Sequence, residues 1–525
     1  MDITAHIWLG IQAVFLGPPI AVWLPIPVTL VMVAAGFITG VAVGATPGLA
    51  GPMAMAVSLP ILISVFGFEP EALLPVLGFL IGVMKGATIG GAVPAILFNT
   101  PGTPDALLTT FDGHPMTQRG EAAKALKVAH FSSVSGDTFS DIVLFVCAPF
   151  LAVLVEAYLD LPEKTALVLL SMSFIAAVVG NSVAKGLLAA GLGMLAAYIG
   201  TGEEFYPRLT GDVQALATGF PVVSAVLGVL ILGEVFKKIE DTMRERAATG
   251  GTKRLEIGNA GRLGWTRIRA LLPFIGRSAV IGTGIGALPG IGSTLAATLG
   301  YASGRRMQEK RGGEPFGTGV PEGVAATEAA NSAVSGSNLI PVLSLGIPGN
   351  AAAVFLILAM DSIGGFNPGP AVFRAPSEGI NGEMVIAFGI FTTMVFANAM
   401  NWVIGGRIMR AMAIMARIPN QILMPTVLLV TLLGIYAEQT NLTALIIAVG
   451  FGILGYLMRK LEISVLPFVI AFLLAGNLET TARQAFAGSG GDPFFLFKSP
   501  IALAFIVIAV AVIALSAFRR SKASE

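Results

Sequence analysis

The sequence is short of charge. Only 12% of its 525 residues are charged, 55% are hydrophobic, and the mean hydropathy is +0.82, whereas a soluble globular chain carries about 25% charged residues. Apolar runs close to the ~20 residues that cross a bilayer recur along the whole length, which excludes a soluble domain on a single anchor. The alternating pattern of a membrane β-barrel is missing as well. The net charge of +1 gives no hold for nucleic acid or an acidic partner. There is one cysteine, Cys147, inside "IVLFVCAPFLAVLV", so no disulfide framework exists and a buried core thiol is expected. The three histidines, His6, His114 and His130, are scattered without the spacing of a metal site. No G-x-x-x-x-G-K-[ST] run supports ATP hydrolysis, and no Ser-His-Asp or Cys-His arrangement supports an enzyme. The opening "MDITAHIWLG" lacks a basic n-region and a cleavage site, so the first apolar segment is expected to be retained. The composition therefore predicts an all-α polytopic membrane protein.

Glycine and proline are plentiful, 64 and 31 residues, and they mark an internal repeat. "GATPGLAGPMAMA" from Gly44 resembles "GALPGIGSTLAAT" from Gly286, and "PAILFNTPGT" from Pro94 resembles "PVLSLGIPGN" from Pro341. The matches keep their order at offsets of 242 and 247 residues, as two structural repeats require. Basic residues orient them. Residues 1–84 contain neither Lys nor Arg, whereas the stretches 237–269 and 303–313 that flank Pro289-Gly290 are rich in both. An apolar segment with Pro-Gly at its middle and both ends on one side is a hairpin that enters the membrane and returns. Two such hairpins, at about 28–62 and 271–302, are expected to enter from opposite faces. Each precedes a broken helix, at about 72–112 and 320–358. The expected layout is an N-terminal repeat over 1–236, a basic cytoplasmic linker over 237–270, a C-terminal repeat over 271–518 and a basic tail over 519–525, with about 12 membrane segments in all. Residues 130–236 and 382–518 read as scaffold.

A helix break inside a bilayer leaves backbone groups without partners, at several kcal/mol each in lipid, so it must face protein, water or a ligand. The positive N-terminal ends at such gaps suit a carboxylate. Thr46, Pro47, Gly48, Asn99, Thr100, Pro101, Gly102 and Thr103 line the first hairpin tip and break, and Pro289, Gly290, Ser293, Thr294, Pro348, Gly349 and Asn350 line the second. These are the candidate substrate-binding residues, although small and hydroxylated residues also serve close helix packing in membranes. Asp105, Glu328, Asn331, Ser335 and Asn338 are the candidates for cation or proton coupling, since Glu328, Asn331 and Ser335 share a helix face. Glu322 reads either as a member of this set or as an interfacial charge beside the basic loop. Lys85 reads either as a buried partner of Asp105, Asp112 or a substrate carboxylate, or as a snorkelling side chain.

The runs "GATPGLAGPMAMAVSLPI", "GATIGGAVPAILFNTPGTPDALLTTFDGHPMTQRGEAAKAL", "GALPGIGSTLAATLGYA", "GTGVPEGVAATEAANSAVSGSNLIPVLSLGIPGNAAAV" and "FNPGP" resemble the large membrane subunit, TctA, of the bacterial tripartite tricarboxylate transporters. The resemblance covers nearly the whole chain. It implies a multi-pass inner-membrane protein that works with a small four-helix membrane subunit like TctB and a periplasmic solute-binding protein like TctC. Uptake of citrate-like di- or tricarboxylates, driven by a Na⁺ or H⁺ gradient and without a cofactor, would follow. It leaves open which carboxylate, and aromatic carboxylates belong to the same range. An elevator-like motion fits the opposed hairpins, and a homodimer is an expectation by analogy alone. The rival readings are a gated organic-anion channel and a carrier that works without a binding protein.

Overall fold

The computed structural model describes the chain except for residues 1–2, 22–23, 179–181, 201, 204–205, 211–215, 246–263, 290–291, 375, 377–378, 418–419 and 524–525. Backbone amides in lipid must find partners within their own segment, so an apolar chain of this composition folds as helices. In chain order these are α1 (Ile3–Phe15), α2 (Val28–Gly44), α3 (Gly51–Phe66), α4 (Leu73–Phe98), α5 (Thr109–Gln118), α6 (Ala122–Tyr158), α7 (Leu161–Val178), α8 (Val183–Tyr198), α9 (Val222–Leu227), α10 (Gly233–Glu245) and α11 (Trp265–Gly286). There follow α12 (Gly292–Lys310), α13 (Pro321–Ser337), α14 (Leu339–Leu345), α15 (Ala351–Ile363), α16 (Gly382–Met400), α17 (Gly406–Ala411), α18 (Asn420–Gln439), α19 (Leu442–Lys460), α20 (Leu466–Gly488), α21 (Phe495–Lys498) and α22 (Pro500–Ala523). The described strands are two short antiparallel pairs, β1 (Pro19–Ala21) with β2 (Leu24–Pro27) and β3 (Gly202–Glu203) with β4 (Tyr206–Pro207), and short 3-10 and π-helical turns link several of the helices. Among the described residues, 7 helices are long and apolar enough to cross a membrane, and five shorter apolar ones accompany them. The chain is an all-α, multi-pass membrane protein.

The described residues gather into two compact units. One draws on Met1–Ala152, Ala247–Leu288 and Gly292–Ile422, the other on Val153–Arg246, Pro289–Ile291 and Leu423–Glu525. The first contains residues 28–62, 72–112 and 320–358 and, apart from Pro289–Ile291, residues 271–302. It also takes residues 130–152 of α6, which lie in a stretch expected as scaffold. The stretch 111–127 is mostly helical because α5 runs to Gln118 and α6 opens at Ala122. Cys147 is half-buried, short of the full burial expected of it.

Glycine brings α2 and α4 into backbone contact. A methyl group on Gly36, Gly40 or Gly44 would overlap the carbonyl oxygen of Phe79, Val83 or Ala87, and one on Gly82, Gly86 or Gly90 would overlap that of Val33, Phe37 or Val41. These glycines recur every four residues on each helix, so one face of each is bare backbone and the two helices run side by side in the same direction. In the second half of the chain, Gly282 and Gly286 of α11 lie against Ala330 and Val334 of α13, so those helices also run together. Gly300 and Gly304 of α12 lie against Ala330 and Ala326, in the reverse order, so α12 runs back along α11. Gly290, at the expected tip between α11 and α12, lies outside the described residues.

In the second unit, Gly186 and Gly193 of α8 sit on the backbone of Ala176 and Phe468 in the same manner. Between α9 and α10 the chain widens to a π-helix over Gly228–Leu232, which leaves carbonyls off the regular ladder. Arg459 fills that gap, donating to the carbonyls of Val229 and Leu230 at 2.8 Å each while its Nε holds Glu234 at 2.8 Å.

The backbone contact between α2 and α4 is open to a direct test. Gly40→Leu is expected to cost more than the ~1–3 kcal/mol of ordinary core overpacking, because its neighbours are backbone atoms that cannot turn away. Gly284→Ala, at an exposed position of α11 with nothing within 4 Å, is expected to be neutral or to stabilise by up to about 1 kcal/mol. Thermal unfolding of the two variants in detergent checks the pair.

Candidate functional site

Two helices of the first unit stop at residues in the left-handed conformation. The first stop comes where α4 ends at Phe98: Asn99 takes a left-handed conformation (φ 55), and its amide and that of Thr100 fold back onto the Pro94 carbonyl. Pro94 itself lies within the helix, and the chain leaves it only at Asn99. The second stop comes at Gly346, also left-handed (φ 69), where α14 ends. Asn99 and Thr100 are exposed, Pro101 is half-buried, and Gly102 and Thr103 are buried. Gly102 donates its amide to the Gly91 carbonyl, and the buried Thr103 hydroxyl has no hydrogen-bond partner among the described residues. At the tip between α2 and α3, Thr46 is buried and donates to the Ala42 carbonyl, Pro47 is half-buried, and Gly48 is left-handed (φ 87).

At the second break Pro348 and Gly349 are buried, and a methyl on Gly349 would lie 3.2 Å from the Asn338 carbonyl oxygen. Asn350 caps α15, its Oδ1 accepting from the Ala353 amide at 2.9 Å, so that oxygen already has a structural task. Pro289 and Ser293 are half-buried. Thr294 is exposed and donates to Asp105 at 2.6 Å. That bond joins two candidates drawn from the two halves of the chain. Among the described residues no hydrogen bond joins Asn99, Thr100 or Thr103 to Gly349 or Asn350.

The coupling candidates lie deeper. Glu328 is fully buried on α13 and accepts from Ser133 at 2.9 Å and from Thr109, with no cation touching it among the described residues. Among the same residues Asn331, 2% exposed, finds a partner for neither its amide oxygen nor its nitrogen, and the Ser332 hydroxyl beside it finds none. Ser335 donates to Asp137 and to the Ser332 carbonyl. Asn338 is buried with its oxygen unpartnered and its Nδ2 4.0 Å from the sulfur of Met84. Each unsatisfied buried group has a cost of about 1–3 kcal/mol. Such a row in one helix marks a place where water, an ion or a solute belongs. Glu322 pairs with Arg267 at 3.3 Å.

Lys85 does not snorkel, and its partners are neither Asp105 nor Asp112. It is 1% exposed and its Nζ lies 2.8 Å from both Asp137 and Asp141 on α6. Those two carboxylates went unremarked in the sequence because they sit in a long apolar run. Their i, i+4 spacing in "DTFSD" was the available signal, as two acids on one face of a membrane helix are costly unless they act on something. Asn398 of α16 also reaches Asp141, at 2.6 Å, and nothing in the local sequence announced it. Asp112 serves α13: its Oδ1 accepts the amides of Gly317, Gly319 and Val320 at 2.9 to 3.0 Å, and Tyr301 donates to its other oxygen at 3.0 Å. The three amides belong to the loop that enters α13, so the buried carboxylate anchors that loop.

An all-helical membrane chain that keeps interrupted helices and unsatisfied polar groups in its interior belongs to the class of membrane transport proteins. This chain is a member of the tripartite tricarboxylate transporter TctA family, whose model matches residues 30–470. The resemblance drawn from the motifs is thereby borne out. The chain is 30% identical over 528 residues, 99% of its length and 98% of the relative's, to an uncharacterized 52.8 kDa protein in the TAR-I ttuC' 3' region of Agrobacterium vitis. It is 28% identical over 235 residues to a second protein of that organism, in the TAR-II ttuC' 3' region, covering 45% of this chain and 93% of the relative. No solved structure matches it.

Lys85→Met removes the only cation that touches Asp137 and Asp141 among the described residues and leaves two buried carboxylates facing each other. It is expected to lose about 3–5 kcal/mol, seen as a fall in the yield of monodisperse protein and in Tm. Asp112→Ala, which frees three amides of the loop before α13, is expected to lose about 1–3 kcal/mol, and Asp112→Asn to retain part of it.

Proposed function

We propose that this chain is the large membrane subunit of a binding-protein-dependent secondary transporter that takes up di- or tricarboxylates by cation symport with alternating access. A small four-helix membrane subunit and a periplasmic solute-binding protein complete the system, and the bacterial inner membrane is its place. Membership of the TctA family supports the component and its class. The observation that carries the mechanism is the agreement between the two halves. Gly40 against Val83 and Gly44 against Ala87 correspond to Gly282 against Ala330 and Gly286 against Val334, at the same offsets of 242 and 247 residues as the sequence matches. Gly102 against Gly91 corresponds to Gly349 against Asn338 at the second offset.

The two copies also point in opposite directions. On α6, Ser133 meets Glu328 and Asp137 meets Ser335, so α6 runs with α13. Lys85 of α4 meets Asp137 and Asp141, while the later residues Ile89 to Leu97 share a cluster with the earlier residues Ala122 to Ala129. By that order α4 runs against α6 and hence against α13. This supports an inverted-topology repeat of about 12 membrane segments with two re-entrant hairpins, in which the breaks supply backbone donors to a carboxylate from the two sides. Hydroxyl and amide donors at Thr46, Asn99, Thr100, Thr103, Ser293, Thr294 and Asn350 suit a solute that must also be released, whereas a buried arginine clamp would hold it.

Uptake of radiolabelled citrate and a panel of other carboxylates into proteoliposomes that contain this chain and its small subunit tests the proposal. Accumulation above equilibrium, dependent on the binding protein and on an imposed cation gradient, is expected. Equilibration without either identifies a channel, and accumulation without the binding protein identifies a carrier that works alone. Asn99→Ala and Asn99→Gly should both lower uptake about tenfold or more, the value of one hydrogen bond to a charged group, while membrane insertion stays intact. The glycine variant separates loss of the amide from strain in the left-handed backbone. Uptake at the unmodified rate in both would remove Asn99 from the site.

A further inference from the structure

We propose that the buried group formed by Lys85, Asp137 and Asp141 is the proton site of the transport cycle, with Asp141 the carboxylate that takes up and returns the proton and Lys85 its built-in counter-charge. The proposal rests on the symport reading above and names its ion.

Two carboxylates share one ammonium in this group, with side-chain exposures of 0% for Lys85, 4% for Asp137 and 7% for Asp141. An ionised carboxylate without compensation is far too costly in such surroundings, so the surplus negative charge has to be neutralised for part of the cycle. A metal cation is poorly placed to do so, because the Lys85 ammonium already occupies the position between the two acids at 2.8 Å from each. A second cation beside it would meet like charge. A proton requires no added room and no displacement of Lys85.

The hydrogen-bond pattern selects Asp141. Its Oδ2 accepts from Lys85 and from Asn398, while its Oδ1 is buried and without a partner. That oxygen lies against Gly336 of α13, where any side chain would overlap it. Asn398 is 5% exposed, and its own Oδ1 is unpartnered too. A primary amide turned by half a rotation exchanges donor for acceptor. The N–H of Asn398 therefore serves the ionised carboxylate, and after rotation its oxygen receives the O–H of the protonated acid. In the step itself one O–H bond forms on Asp141 with a proton delivered by water from one side of the membrane. The same bond breaks to water on the other side, and no other bond changes.

The charged and titratable groups that face the site are few. From α4 there is Lys85, and from α6 Asp137 and Asp141. From α13 there is Ser335 and, two turns earlier, Glu328, which is held by hydroxyls alone. From α16 there is Asn398, and one turn further along lies Asn401, which holds His130 of α6 at 2.9 Å. Protonation of Asp141 leaves Lys85 bound to Asp137, which is tied through Ser335 to α13. Lys85 lies on the helix that leads to the first break, and Ser335 lies on the segment that leads to the second. A proton at this point therefore alters the bond between the two broken helices.

Asp141→Asn keeps one ammonium and one carboxylate in the group and so retains a neutral, foldable interior. In proteoliposomes with the small subunit and binding protein, a pH difference of one unit should raise the accumulation of carboxylate by about tenfold per coupled proton in the unmodified protein. Asp141→Asn should lose that factor and still exchange labelled for unlabelled carboxylate across the membrane. A pH-sensitive dye in the lumen should report substrate-dependent proton entry in the unmodified protein only. Three results would overturn the assignment: undiminished pH-driven accumulation in Asp141→Asn, accumulation driven by a Na⁺ gradient with no proton entry, or loss of exchange together with accumulation in a variant that remains monodisperse. If the unmodified protein shows no gradient-driven accumulation at all, the symport reading itself fails, which is a separate outcome.

Discussion

A helix that stops inside a bilayer leaves amides and carbonyls that lipid cannot satisfy, and the first unit is arranged around that constraint. Asn99 and Gly346 turn the chain through left-handed conformations so that the last carbonyls of α4 and α14 are met within the same chain. The loop after the first turn then lies on Gly91, and the loop after the second lies on Asn338. Neither arrangement is possible unless neighbouring helices come close enough to wall the break from lipid. The glycine faces of α2, α4 and α11 provide that closeness, because backbone contact needs positions without side chains.

Close packing of this kind has an electrostatic counterpart. Where α4, α6, α13 and α16 converge, the interior holds Lys85, Asp137, Asp141, Ser335 and Asn398, and two turns along it holds Glu328 with Thr109 and Ser133. Buried charges in low dielectric contribute little net stability, and apolar residues of the same volume would commonly do as well. Stability therefore does not account for the pattern. Its members come from four helices that bear on both breaks, the arrangement expected of groups that couple one event to another.

Much of the architecture was legible because the relevant signals are local or periodic. The Pro-Gly pairs and the apolar runs marked places where helices stop, and α2, α4, α11 and α14 end near them. Glu328, singled out by its helical face, is fully buried. The errors share one cause. The partners of Lys85, the role of α6 and the anchoring of the loop before α13 by Asp112 depend on contacts between residues 52 to 208 positions apart, and neither hydropathy nor spacing along the chain encodes which of several acids a lysine will meet.

The sequence by itself determined the solvent in which this protein lives, the helical class, the places where helices must stop and the family to which the chain belongs, since each follows from composition or from contiguous motifs. Only the tertiary structure decided that Lys85 is held by Asp137 and Asp141, that Asp105 meets Thr294, that Asn350 spends its oxygen on a helix cap, and that Asn331 and Asn398 keep buried atoms free. The physical reason is that a polar group in a membrane interior is defined by what fills the few ångströms around it, and those neighbours arrive from distant parts of the chain only when the helices pack.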